Sequence, residues 1–239
     1  MNNLRKNFIF NNKILYFFYK LLKIFKNRKR GWFLSEFAED ELVFRYLQNF
    51  KKGIYVDIGC YHPYKGSLTF KLFKIGWQGL NVDLSKVSID LFKISRPNDV
   101  NICCAISDKD KKIKFFENSK INQQNSILTY GKESKKIKEI NSYKLNTILK
   151  KNKIAKFDYL NIDVEGAEIQ VLNGLDIKKY KPKLITLEIN NFLNALDSKT
   201  SINNHLLKNN YFLFNRVGVT NFYFHKEFMK KIDKLIQVK

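Results

Sequence analysis

Short apolar runs that end in an acid or a glycine recur along this chain. They are Tyr55-Val-Asp-Ile-Gly59, Leu80-Asn-Val-Asp83 and Leu160-Asn-Ile-Asp163. Runs of this length read as strands buried on both faces of a parallel sheet. The pattern predicts strands over Ile54–Ile58, Leu80–Val82, Val100–Ala105, Phe157–Ile162 and Lys183–Leu187, with helical periodicity between them. Ser67 is placed to cap a helix over Leu68–Lys74, which Gly76 ends, and Ser85 one over Lys86–Ile94. Acids come early and apolar residues at helical spacing in Leu34–Phe50, a further helix. Short helices are also predicted over Tyr143–Lys150, Ala167–Asn173 and Ser201–Asn209. Lys111–Phe116 reads as an edge strand, and the polar stretch Glu117–Ser142 as an active-site flap or partly ordered loop. Tyr211–Asn215 and Asn221–Phe224 read as a closing antiparallel pair. Strands alternating with helices predict an α/β fold: a Rossmann-like doubly wound sheet with helices on both faces.

The first thirty residues differ from the rest. They hold nine basic residues and no acid. Within them Ile14, Phe17, Phe18, Leu21, Leu22 and Phe25 recur at helical spacing, a basic amphipathic helix with an aromatic face. Lys20 and Lys23 break the run, so it is too short to span a bilayer, and it carries no small-residue cleavage site. It reads either as an in-plane helix on an anionic membrane surface or as a helix docked on its own domain or a partner. The expected organisation is a basic segment at 1–33, a catalytic domain at 34–225 and a charged helical tail at 226–239.

Charge and cysteine usage narrow the function classes. The net charge is +22. The basic residues are nearly all Lys, spread along the chain with Asn and Ile. Readers of nucleic acid favour Arg for bidentate contacts, so the excess charge is weak support for an RNA or DNA partner. The three cysteines, Cys60, Cys103 and Cys104, lack zinc spacing and are odd in number, which points to free thiols in a reducing compartment.

In open α/β sheets the ligand binds outside the carboxyl ends of the strands. That rule sends Asp57, Gly59, Asp83, Asp163 and Glu165 to one crevice, which is acidic within a basic protein. Such a crevice suits a ligand with hydroxyls and a positive centre, and S-adenosylmethionine is one. Gly59 permits a tight turn, but no full G-x-G-x-x-G follows, so a pyrophosphate cradle is not supported. Asp83, about twenty residues beyond the turn, can accept both ribose hydroxyls. Asp108 closes the third strand and is placed either for an adenine amino group or as a solvated turn residue. Glu168 opens a helix, and Glu188 ends a strand at the same crevice edge. His62, on the first loop, titrates in the range useful to a base.

These residues resemble the FkbM family of methyltransferases. The resemblance rests on Val-Asp-Ile-Gly-Cys-Tyr-His-Pro63, Gly76-Trp-Gln-Gly-Leu-Asn-Val-Asp83, Arg96-Pro-Asn-Asp99, Ala105-Ile-Ser-Asp108, Ile162-Asp-Val-Glu-Gly-Ala-Glu168 and Val171-Leu-Asn-Gly174, over about residues 52–190. Leu84 departs from it, standing where many members carry proline. The resemblance implies a Rossmann-like fold, S-adenosylmethionine as donor, and O-methylation of an acceptor, often in pathways for surface glycans. Its cofactor contacts map onto Asp57, Gly59, Asp83 and Asp108. The expected activity is methylation of a sugar hydroxyl of a surface polysaccharide or its precursor. Asp163 or Glu165 is the expected base and His62 the second choice; a divalent ion held by carboxylates is an open alternative. The expected location is cytoplasmic, on the inner face of the membrane if the basic helix binds it. The rival readings are an RNA methyltransferase and a non-catalytic, membrane-associated assembly partner. The Asn/Asp-Pro-Pro-aromatic motif of amino-directed base methylation is absent.

Overall fold

The computed structural model describes residues 8–26, 34–117, 136–189 and 195–229. Residues 8–11 are helical, and helix α1 (Lys13–Lys26) follows, its first amides, Ile14 and Leu15, donating to the Asn12 side chain. Helix α2 (Glu39–Leu47) carries three acids in its first turn. The expected helix over Leu34–Phe50 is therefore shorter than its pattern. Residues 34–38 instead form a strap, with Ala38 in the left-handed region at φ 65° and Gly66 N–H donating to the Leu34 carbonyl at 2.8 Å.

Strand β1 (Ile54–Ile58), helix α3 (Phe70–Lys74), strand β2 (Gln78–Asp83), helix α4 (Lys86–Ser95) and strand β3 (Val100–Cys103) follow in alternation. Ser85 caps α4 by accepting from Ser88 N–H. Ser67 does not cap α3, which starts after Thr69 with no side-chain cap. The Ser67 hydroxyl instead accepts from Arg96.

The strand expected over Val100–Ala105 is divided. Its end becomes β4 (Ala105–Ser107) in a second sheet of three strands, with β5 (Lys111–Glu117) and β6 (Lys136–Lys144) in the order β4-β6-β5. Of the flap expected over Glu117–Ser142, residues 118–135 lie outside the described residues, and from Lys136 the chain is the middle strand of this small sheet. The chain then builds α5 (Leu145–Lys151), β7 (Tyr159–Ile162), α6 (Glu168–Asn173), α7 (Ile177–Tyr180), β8 (Leu184–Glu188), α8 (Ala195–Lys208), β9 (Tyr211–Val217) and β10 (Thr220–His225). Of the tail expected at 226–239, residues 226–229 are helical and the remainder falls outside the described residues.

The large sheet has seven strands in the order β3-β2-β1-β7-β8-β10-β9. Its first five are parallel; β10 is antiparallel to both of its neighbours, β8 and β9, so β9 runs in the direction of the first five. Side chains alternate between its faces. Val56, Ile58, Leu160 and Ile162 pack with α5, α6, α7 and α8; Tyr55, Tyr159 and Leu184 pack with α2, α3 and Trp77. Both faces are thus covered, as expected of a Rossmann-like methyltransferase sheet. The strand order reverses at β1, which lies between β2 and β7, and a crevice opens beyond the carboxyl ends of these strands.

One register row departs from an apolar sheet. Asn101, Asn81, Asp57, Asn161 and Thr186 lie side by side on five adjacent strands. Asn81 donates to Asn101, Asn161 to Asp57, and Thr186 to Asn161, at 2.7–2.9 Å. A one-residue slip of any strand would strip these buried polar groups of partners, so the row fixes register.

Candidate active site

A cavity of about 560 Å³ opens at the carboxyl ends of β1, β2, β7 and β8. Its size suits a cofactor together with part of an acceptor. Asp57, Asp83, Asp163, Glu165 and Glu188 line it from the strand ends; Glu36 and Glu39 line it from the strap and α2. Among the described residues lining it, none is Lys, Arg or His. In a protein of net charge +22, the carboxylates are concentrated at this cavity.

The β1 turn is shaped by close backbone approach. Gly59 has φ +82°, and a Cβ there would lie 1.8 Å from the Asp163 carbonyl oxygen. Only glycine fits, because the ends of β1 and β7 touch at this point. Gly59 N–H donates to the Val82 carbonyl at 2.8 Å, which ties the turn to β2.

Asp83 is held from both sides. Tyr61 N–H donates to one carboxylate oxygen at 2.8 Å and Ser85 N–H to the other at 2.7 Å. Burial raises its pKa to about 6 against the pull of these two amides. Each oxygen keeps a lone pair, so the site can accept hydroxyl donors such as a ribose pair. The carboxylate is therefore both the anchor of the first loop and a group on the cavity wall.

Asp57 lines the same cavity but is bound into the protein. Its oxygens accept from Thr69 at 2.9 Å and Asn161 at 2.9 Å. Behind it lies Arg96, fully buried, which donates to Tyr55, Thr69, Pro63 and Ser67 at 2.6–3.0 Å. Tyr55 in turn donates to Asp99. Burial raises the Asp57 pKa, and Asn161, the Arg96 charge and Thr69 oppose the rise. Arg96 thus fixes the 63–69 segment over the cavity. The motif containing Arg96 was noted in the sequence, but its reach across the fold could not be read there.

The third group is an acid cluster. Asp163 hydrogen-bonds to Glu188. Burial first, then the charges of Glu188, Glu165 and Glu168, hold the Asp163 pKa well above the ordinary carboxylate range. Two carboxylates bond to each other only when a proton lies between them, so the pair shares one. Glu165 sits in the left-handed region at φ 54°, a strained placement for this residue, and its pKa is raised by burial and by Glu188 and Glu168. Glu168 accepts from Gly166 N–H at 2.9 Å and closes the turn into α6. Among the described residues, no set of three or more His, Cys, Asp or Glu side chains is arranged to hold a metal ion.

Two expected site residues are not brought to the cavity. His62 is 2% exposed and does not line it. Its Nδ1 accepts from Tyr64 and Lys65 N–H, both at 3.1 Å, and the ring also hydrogen-bonds to the Lys23 backbone. Burial, with the Lys23 charge, lowers its pKa to about 4. It is a neutral tether between α1 and the first loop, not a base facing substrate. Asp108 is carried away because the chain switches to the small sheet at Cys104; its carboxylate accepts from Ser107 at 3.2 Å. Cys104, Ala105 and Ile106 line the cavity in its place. The strap residues Ser35, Glu36 and Phe37 also line it. Read as the start of a helix, they gave no sign of that position in the sequence.

The geometry fits S-adenosylmethionine in kind. Asp83 offers acceptors for hydroxyls, Gly59 a stretch of wall without a side chain, and the acid lining a setting for a cation. A phosphate-bearing cofactor finds no basic side chain in that lining. None of the curated proteins compared with the chain matches it. The profile of the Methyltransferase FkbM domain matches residues 57–230, nearly three quarters of the sequence and all of the strands that build the cavity except the first residues of β1. Members of that family are methyltransferases and in general draw on S-adenosylmethionine, and this chain belongs to the FkbM methyltransferase family.

Proposed function

We propose that this protein transfers a methyl group from S-adenosylmethionine to a hydroxyl oxygen, and that the acceptor is a sugar of a surface polysaccharide or its precursor. The observation that carries the reading is the cavity wall: seven acids line it and, among the described residues, no basic side chain does. S-adenosylmethionine supplies a methyl group activated by a sulfonium cation. Asp83 would hold its ribose hydroxyls, Gly59 would let it approach the backbone, and the surrounding carboxylates would favour its positive charge. A neutral hydroxyl acceptor needs a group to take its proton as the new bond forms. The Asp163–Glu188 pair shares one proton and so keeps a carboxylate oxygen as acceptor, burial and the neighbouring acids raise the Asp163 pKa, and Glu165 lies beside it. Phe37, 57% exposed at the cavity mouth, offers an apolar face for a sugar ring. The strap thereby belongs to the acceptor side and the β2 end to the cofactor side.

The test is transfer of labelled methyl from S-adenosylmethionine to surface polysaccharide extracted from cells lacking the gene. Label recovered as an O-methyl sugar by mass spectrometry is the expected result. Label in RNA, or binding of S-adenosylmethionine without transfer to any hydroxyl acceptor, would overturn the proposal.

A further inference from the structure

Helix α1 has two faces, and the described residues pack against one of them. Tyr16, Tyr19, Lys20, Lys23 and Ile24 turn toward the domain. Tyr16 donates to Asp90 of α4 at 2.8 Å, the Lys23 backbone bonds to His62, and Ile24 is buried. The opposite face carries Ile14, Phe17, Phe18, Leu22 and Phe25, which are 46–69% exposed. Docking on the helix's own domain, one of the readings open from sequence, therefore accounts for the tyrosine face alone. Five large apolar side chains on one helix stripe form more than the scattered exposure normal for a surface.

The chemistry around this stripe specifies what covers it. Residues 1–30 hold nine basic residues and no acid. At 100° per residue, Lys13 and Lys26 fall on the borders between the two faces, where headgroups lie against an in-plane helix. Lys20 rests its ammonium 4.7 Å from the centre of the Tyr16 ring and leaves the apolar stripe unbroken. No helix among the described residues is long and apolar enough to cross a membrane. An apolar stripe bordered by cations and lacking any acid matches the boundary between acyl chains and anionic headgroups. A dry protein partner would have no use for the charge.

We propose that α1 seats this protein on an anionic lipid surface, with the Ile14–Phe25 stripe in the bilayer boundary and the tyrosine face on the methyltransferase domain. The arrangement has a structural consequence. His62 ties the last turn of α1 to the loop whose Tyr61 amide binds Asp83. The bilayer plane is thus held at a fixed place relative to the cofactor side of the cavity. This inference stands apart from the identity of the acceptor, since vesicle binding and methyl transfer are measured separately.

The experiment is co-sedimentation of the full-length protein with vesicles of phosphatidylglycerol and phosphatidylcholine, and with phosphatidylcholine alone. Binding to anionic vesicles should exceed binding to neutral ones by about tenfold or more, since several cations each contribute near the surface. Raising salt to about 0.5 M should weaken it. The double variant Phe17→Ser, Phe18→Ser should lose about tenfold or more, from the apolar surface no longer buried. Both residues face away from the domain, so that variant should bind S-adenosylmethionine as the wild type does. Equal pelleting of the wild type with both vesicle types, or of wild type and variant, would overturn the proposal. So would a solution dimer that the double variant dissociates in protein that ignores vesicles; the stripe would then belong to a second copy. The comparison of the two vesicle types with wild-type protein decides the matter even if the variant folds poorly.

Discussion

Replacing Asp83 by Asn tests the cofactor side of the cavity with an internal control. The substitution keeps the shape and one acceptor for the Tyr61 or Ser85 amide, and it removes the charge. Charge-assisted hydrogen bonds contribute about 1.5–3 kcal/mol, so S-adenosylmethionine should bind about 10–150-fold more weakly at pH 7.5. The wild-type pKa of about 6 adds a pH signature. Hydroxyl donors favour the ionised carboxylate. At pH 5 only about one tenth of Asp83 is ionised in the free protein, and wild-type affinity should fall about tenfold. Asp163 and Glu165 titrate in both proteins, so the difference between the two profiles isolates Asp83. The sign for stability is opposite. Between about pH 4 and 6 the folded protein without ligand holds a proton that the unfolded chain has released, so stability falls as pH rises through that window. Isothermal titration calorimetry at pH 5, 6 and 7.5 is the assay, with thermal melts confirming that the variant is folded. A gap between wild type and variant that is absent at pH 7.5, or unchanged at pH 5, would refute the ribose role and leave Asp83 as an anchor of the loop.

Three other outcomes are expected. Asp163→Asn and Glu188→Gln should still bind S-adenosylmethionine and slow single-turnover methyl transfer by about 10²–10⁴-fold, and full activity in both would move the base to Glu165. Arg96→Met should destabilise the fold by about 3–5 kcal/mol in urea denaturation, because it leaves Asp57 and Asp99 buried without the guanidinium; a loss under 1 kcal/mol would show the network is dispensable. His62 should make stability fall with acid. Its folded pKa of about 4 lies below the unfolded value, so stability present above pH 6.5 is lost between about pH 6.5 and 4, by up to about 3 kcal/mol. Urea melts of wild type and His62→Gln at pH 7 and 5 should converge at the lower pH, and parallel losses would assign the effect elsewhere.

What the sequence determined by itself was the chain of strands and turns through the crevice. Ile54–Ile58 was delimited by Gly53 and Gly59, and the ends at Asp83 and Asp163 followed from apolar runs that stop at an acid. These features are local: burial demands an apolar run, and a tight turn demands glycine, whatever packs around them. The acid character of the cavity was legible for the same reason, since strand ends converge in any doubly wound sheet. Tertiary structure decided everything that depends on pairing across the sheet. Val100–Ala105 reads as one strand, yet Cys104 turns the chain into a second sheet and takes Asp108 with it. Lys136–Ser142 reads as polar loop, and Tyr143 and Lys144 as the start of a helix, because a strand of a small, half-solvated sheet needs no apolar run. Leu34–Ala38 has helical composition, but Gly66 and Asp40 compete for its polar groups and hold it as a strap. His62 has the chemistry of a base, and only the packing of α1 against it removes it from the cavity and keeps it neutral. The sequence specifies what each residue can do, and long-range contacts decide which neighbours desolvate it, which is what fixes a carboxylate as ligand, base or strut.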